Sequence, residues 1–539
     1  MVHNPILKSK LAVRGARPFS GCRTMGSTMR IRTTIALSAA AFIATGLLAA
    51  RANEPPSTKP RPARHYEGLL TWEVRDADTG APIPCKLTFV GVEGTRAPEF
   101  THNDIGRPEG DLAIAAYHRV FSAAGDGAVR VPPGTYDVYV SRGPEWDVAV
   151  VRKLKVTPEG AELVAQLHHV IDSRGWYSAD FHVHAAPSPD SSVPLPHRII
   201  EFIADGIDML TSTDHNIVTD YAPTIKALGV GNLIGTIMGD EITTASWGHF
   251  GAFPLPQDLA RAGQGAVLAH GRTPKDIFNE VHTHAPGAVI DVHHPRIDPT
   301  CGYFIIGEFD PHSDRAGKKG FSFDFDAIEV LTGYQDPARR SVDRMIDDYL
   351  GLLNHGHLAT ATGNSDTHHL TFNMGGYPRN YLRVPDDRIG HVTPQDVAQA
   401  VKAHRVFFTT GPFVRMRAGQ ADIGDLVATP GGHARLDIGV DAAPWVSVDR
   451  VILYVNGKEA QRWSVPPSQK VERFRASYEI TLATDGYALV RVDGNELLAP
   501  VVGDRTTFGV YPMALTNPIF FDVNHNGRYD PSLKHGARH

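Results

Sequence analysis

Apolar and polar residues alternate in short runs from Tyr66 to about Val170, as in GLLTWEV, CKLTFVG, TYDVYVS and KLKV, with the turn signals DADTG and PPGTY between them. A period of two puts the apolar positions on one face of each strand, so 66–170 is predicted to be a small β-sandwich. From Gly175 to about Gly411 strand-like runs alternate with helix-periodic segments such as LPHRIIEFIADG, TPKDIFNEVHTHAPG, RRSVDRMIDDYLGLLNHGH and TPQDVAQAVKAHR. That rhythm predicts parallel strands joined by helices over 171–412. Strand patterns return in ARLDIGV, VDRVILYVNG, SYEITL and GYALVRVDG, with Asn456-Gly457 as a hairpin turn, which predicts a second β-sandwich over 413–539.

The middle region's strand-like runs end in DFHVH, DMLTSTDHN, TIMGDEITT, AVIDVHHP, AIEVLTG and ATATGNSDTH, nearly all in or beside His, Asp or Glu. In a β/α barrel those ends share one rim, where active sites assemble. His182 and His184 are two apart on a strand, so both imidazoles reach one side and can share an ion; Asp366 and His368 repeat the spacing. His215, Glu241, His249 and Asp190 are further candidates, each with a plainer reading as helix cap, ion pair, packed histidine or exposed turn. His293 and His294 are adjacent on a predicted strand, so at most one is expected to face the rim. Together the set offers imidazoles and carboxylates without thiolates, which suits zinc, manganese or iron in a multinuclear hydrolytic site.

HVH, Asp190, TDH, GDE, GH, HHP and SDTH, in that order, resemble the motifs of the polymerase and histidinol phosphatase (PHP) superfamily of metal-dependent hydrolases. The flanking β-regions and an export signal look more like its carbaryl-hydrolase-like (CehA/McbA) branch. DADTGAPIPCKLTF resembles transthyretin-like or carboxypeptidase-regulatory domains. The resemblance implies a central distorted (β/α)7 barrel, flanked by two all-β sandwiches. It implies a first ion on His182, His184, Glu241 and Asp366, and a second on Glu241, as bridge, with His249 and His294. A third would lie on Asp190, His215 and His368. His294 is preferred because the family's ligand directly precedes a proline, here Pro295, and His293 is then expected to turn away. Glu241, His249 and Asp366 are the implied catalytic residues, while Arg296, His369 and Arg379 are candidate substrate contacts. Two or three divalent ions would activate a water for attack on an ester, amide or carbamate. The alternatives are a phosphoesterase and a non-catalytic binding protein on the same scaffold.

Composition sharpens this picture. Of 27 histidines, 17 fall between 171 and 412, which points to metal chemistry. Residues 1–52 hold eight Lys and Arg and no acid; removing them from 53 leaves 45 against 59 Asp and Glu, a net −14. An acidic chain argues for a small-molecule substrate and against nucleic acid. Met29 to Ala52 has the basic start, apolar stretch and small-x-small site of a secretory signal, so the protein is expected to be exported, without stable membrane insertion after cleavage. Residues 53–65 are Pro-rich and read as a linker. Cys22, Cys85 and Cys301 are too few for a disulfide scaffold. Asp522, Asn524, Asn526 and Asp530 sit at the offsets of a calcium loop, with Gly527 at the bend but no closing Glu; the other reading is an Asn/Gly turn. Oligomeric state is not encoded in these patterns.

Overall fold

Strand Gly68–Asp76 buries Leu70, Trp72 and Val74 and exposes or half-exposes the residues between them, the period-two pattern of its sequence. It pairs antiparallel with Asp126–Val131 and parallel with Ala161–Leu167. A second sheet, in the order Ala113–Ala116, Arg119–Ser122, Cys85–Gly91, Gly134–Ser141 and Ala149–Val156, closes over them, and Leu87, Phe89, Val138 and Val140 complete the shared core. The computed structural model describes residues 67–106, 112–333, 340–504 and 509–531. The expected signal and linker segments lie outside the described residues. Among those described, no helix is long and apolar enough to cross a membrane.

The middle region does not form the expected (β/α)7 barrel. Its strands divide between two sheets, and neither closes on itself. In one, Trp176–Val183 runs parallel to Met209–Ser212, which runs parallel to Gly235–Met238. On its other edge Trp176–Val183 pairs antiparallel with Arg379–Arg383, which pairs antiparallel with Val406–Thr409. The second sheet runs Asp240–Thr243, His249–Phe253, Val289–Val292, Ala327–Thr332, Thr360–Asn364. Its first two pairings are antiparallel and its last two parallel. The physical reason lies in the connections: only the loop 244–248 joins Asp240–Thr243 to His249–Phe253, too short for the crossover that parallel strands require. Gly248 in that loop has φ +95°, and a Cβ there would lie 2.5 Å from the Cys301 carbonyl oxygen. Isolated bridges Val183 to Thr367 and His215 to Glu241 draw the two sheets together at their strand ends.

The C-terminal strands are not a separate sandwich either. Val406–Thr409 pairs with Met513–Thr516, so the first sheet continues through Gly486–Asp493 and Arg450–Val455 to Lys458–Ser464. Phe413–Arg417, His433–Asp441 and Glu472–Thr481 form a smaller sheet. One apolar cluster takes in Phe202, Tyr381 and Phe407 together with Val440, Val490 and Val492. Asn456 and Gly457 turn the hairpin with φ of 49° and 75°, the left-handed pair that a two-residue turn needs.

Helices Pro274–His284 and Pro394–Lys402 start where the sequence places a Thr-Pro-x-Asp box. Thr273 and Asp276, and Thr393 and Asp396, cap each other reciprocally. Helix Leu195–Ala204 carries Arg198 into the interior, where Nε donates to the His184 carbonyl at 2.9 Å and Nη2 to that of Thr367 at 3.2 Å. This strap ties together the ends of strands Trp176–Val183 and Thr360–Asn364.

Candidate metal centre

His182 lies in strand Trp176–Val183 and His184 just past its end, and their rings stand 5.0 Å apart. Nε2 of His182 is 3.2 Å from both Glu241 Oε1 and Asp366 Oδ1; Nε2 of His184 is 3.3 Å from Glu241 Oε2 and Asp366 Oδ1. Asp366 follows strand Thr360–Asn364 at φ 51°, and its carbonyl accepts from Asn373, which turns the carboxylate inward.

Glu241 collects the most imidazoles. Besides His182, Oε1 is 3.1 Å from His249 Nδ1, 3.1 Å from His293 Nδ1 and 3.2 Å from His294 Nε2. Its Oε2 is 3.0 Å from His215 Nδ1. Burial raises the Glu241 carboxyl, but the imidazoles of His182, His215 and His249 outweigh it and hold the group well below its ordinary value. Asp190 completes an outer group: Oδ2 is 2.9 Å from His215 Nε2 and 3.1 Å from His368 Nε2, and Oδ1 accepts from Ser188 at 2.8 Å.

These side chains fall into four sets whose ligand atoms lie within 4.8 Å of one another: His184, Asp190, His215 and His368; His182, Glu241 and His293; His182, His184 and Asp366; His215, Glu241 and His249. Eight of the nine predicted ligands fall in these sets, and the ninth, His294, stands 3.2 Å from Glu241 beside them. His293 joins them, which corrects the expectation that it turns away. Strand Val289–Val292 ends before the pair, and His294 adopts φ 29°, so strand alternation no longer governs where the two rings point. Gly251 leaves room for the His293 ring: a Cβ there would lie 2.2 Å from its Nε2.

The donor set fits cations. Nε2 of both His182 and His184 is buried without a hydrogen-bond partner, although each faces two carboxylates. An orphaned buried polar atom costs about 1–3 kcal/mol, which coordination relieves. Burial pulls His182 down, but the carboxylates of Asp366, Glu241 and Glu329 carry it well above its ordinary value. Burial and the neighbouring His368 push His184 well below. His182, His184 and His293 are sealed from solvent, whereas the side chains of His215 and His368 are 12% exposed and His249 17%, so this last side is the mouth.

Three residues outside the predicted set support the centre. Glu329 Oε1 is 3.2 Å from His182 Nδ1, and its Oε2 accepts the His294 backbone N–H at 2.6 Å. Arg198 and Asn373 position backbone as described above. Glu329 stands in AIEVLTG, where only a carboxylate in an otherwise apolar strand marked it.

The predicted substrate contacts part company. Arg296 is committed to Asp348 through Nε and Nη2, with Nη2 also donating to the Phe309 carbonyl. Arg379 is buried and donates to the carbonyls of Gly376, Gly206 and Asp205. Both guanidiniums are committed to these structural contacts. His369 is exposed beside His368, its ring edge-on to Phe372. The segment read as a calcium loop or an Asn/Gly turn is held by its own hydrogen bonds. Asp522 accepts from the N–H groups of Asn526 and Gly527, both Asn side-chain oxygens accept backbone N–H groups, and Asp530 accepts both Asn amides. These bonds form an Asx-type turn.

No family model and no curated protein matches the chain. Among solved structures it is similar to endonuclease Q in complex with a 27-mer duplex bearing an abasic lesion, at 14% identity and a TM-score of 0.30, covering 42% of this chain and 56% of that one. It is also similar to the CARDB domain of a Pyrococcus furiosus protein, at 18% identity and a TM-score of 0.15, over 21% of this chain and 94% of that one. The chain thus spans little more than half of the endonuclease Q chain, and likenesses this low carry no argument about function.

Proposed function

We propose that the protein is a metal-dependent hydrolase, exported, that cleaves an ester, amide or carbamate bond in a small molecule. The observation that carries this reading is the meeting of His182, His184, Glu241 and Asp366 around two unpaired imidazole nitrogens. The motif order that resembles the carbaryl-hydrolase-like branch supports it, although the barrel expected from that resemblance is absent. Divalent ions bound here would supply Lewis acidity, lowering the pKa of water and polarising the bond to be cleaved.

The chain's own residues orient and gate. Glu329 fixes the His182 ring from behind, the usual carboxylate–histidine support of a ligand. His249, at the mouth, is held below its ordinary value by burial against the pull of Glu241, which favours the neutral imidazole that a metal ligand has to be. Glu241 and Asp366 bring the negative charge that makes a cation welcome. A phosphatase needs fixed cations against a phosphate dianion. Arg296 and Arg379 are spent elsewhere, which favours an uncharged carbonyl substrate over a phosphate ester.

Metal analysis of the purified protein, with a parallel screen of phosphate esters, carboxylic esters and aryl carbamates, tests the reading. Copurifying divalent metal and chelator-sensitive carbonyl hydrolysis are expected. Phosphate monoester turnover alone would reverse the preference, and a protein without metal or turnover would remove the hydrolase.

A further inference from the structure

Beside the centre lies a cavity of about 200 Å³ between His294–Ile297, the end of strand Ala327–Thr332 and the first turns of helix Arg340–His355. It adjoins the candidate ligands, because its wall includes His294, 3.2 Å from Glu241, and Glu329, 3.2 Å from His182. Ile297, Leu331, Val342 and Met345 give it an apolar lining.

Three observations say what belongs there. The charged residues in its wall are occupied: Arg296 is neutralised by Asp348, and Glu329 is engaged by His182 and the His294 N–H. An uncharged occupant follows, since an unpaired ion would be desolvated without compensation. The Thr332 hydroxyl is buried without a hydrogen-bond partner among the described residues, and Thr332 lines the cavity. A ligand oxygen or N–H that met it would relieve that cost. An apolar cavity of about 150 Å³ suffices for benzene, so this one, at about 200 Å³, is of a size for a single ring or a short branched alkyl group.

We infer that the cavity is the substrate's apolar subsite, and that it selects uncharged esters, amides or carbamates whose group beside the scissile bond is of single-ring size and carries one polar atom within reach of Thr332. This rests on the hydrolase reading for the bond cleaved. Recognition of the apolar group does not, so binding can be tested apart from turnover.

Saturation-transfer NMR with the full-length protein, before and after zinc loading, would use toluene, benzyl alcohol and 2-naphthalenemethanol as probes. The two single-ring probes should bind saturably and the naphthyl probe at least tenfold more weakly. Met345→Trp, which fills the cavity, should abolish the single-ring signals while its metal content stays at the wild-type level. Thr332→Val should keep toluene binding and weaken benzyl alcohol about three- to tenfold; because it removes an unpaired hydroxyl without changing shape, it serves if the tryptophan variant fails to fold. Equal binding to wild type and Met345→Trp, equal affinity for the naphthyl probe, or equal loss of both single-ring probes in Thr332→Val would overturn the subsite. Binding as described without hydrolysis of any ester, amide or carbamate would instead sink the hydrolase reading and leave the subsite standing.

Discussion

Glu329 stands behind His182: its Oε1 lies 3.2 Å from Nδ1, while Nε2 of the same ring looks toward Glu241 and Asp366. A ring held at Nδ1, with Nε2 left to face the two carboxylates, has its direction chosen before any ion arrives. Glu329→Gln should therefore weaken metal affinity about 10- to 100-fold with little change in the fold. Competition against a graded series of chelators measures this. An unchanged affinity would reduce Glu329 to packing.

His293 was expected outside the centre and lies 3.1 Å from Glu241. His293→Ala and His294→Ala should each lower the metal content of the purified protein. Full metal content in His293→Ala, with loss in His294→Ala, would return His293 to a packing role.

Glu241 belongs to two ligand sets, Asp190 to one. Glu241→Gln should reduce metal stoichiometry and turnover together, whereas Asp190→Ala should remove only the outer contribution shared with His215 and His368. Elemental analysis beside kinetics separates the two; full stoichiometry in Glu241→Gln would refute the bridge.

Without metal, His182, His215 and His368 hold protons more firmly than a free imidazole, whereas His184, His249 and His293 hold them less. Burial lowers His215, but Glu241 and Asp190 outweigh it and carry it up to about 9. Its folded value is raised, so its contribution to stability is complete below about 6.5 and is lost as pH climbs toward 9. Chelator-treated protein should lose melting temperature between pH 6.5 and 8. Metal-loaded protein should gain over the same range, because ligands must shed protons to bind. Thermal scans with and without chelator check this; parallel slopes would count against metal at these residues.

Lys86 of the N-terminal strand Cys85–Gly91 and Asp205 at the end of helix Leu195–Ala204 form a fully buried pair at 2.6 Å. Removing one partner strands the other charge, at a cost of about 3–5 kcal/mol. Lys86→Met should lower stability by that order in denaturant titration, and a loss under 1 kcal/mol would show that water enters the gap.

The ligands were legible because strand geometry is local. His182 and His184, or Asp366 and His368, need only a two-residue spacing at a strand end to share an ion. His293 was hidden because the strand stops at Val292 and positive φ at His294 redirects both rings. Arg296 and Arg379 looked available because their partners are remote: Asp348 is 52 residues from Arg296, and the Asp205 carbonyl is 174 from Arg379. The barrel failed for a similar reason. Alternation of strands and helices is local, but whether Arg379–Arg383 meets Trp176–Val183 parallel or antiparallel is settled by pairing across some two hundred residues.

The backbone seam between Val406–Thr409 and Met513–Thr516 makes the chain indivisible at the place where its motifs invite a cut. Ending it near Gly411 would leave Val406–Thr409, three of whose four residues are apolar, as a bare edge ready to recruit a neighbouring molecule. The half that carries the candidate metal ligands is therefore no portable cassette. Recombination that exchanged the C-terminal region would have to supply a matching strand in register, so the two halves are bound to diverge together.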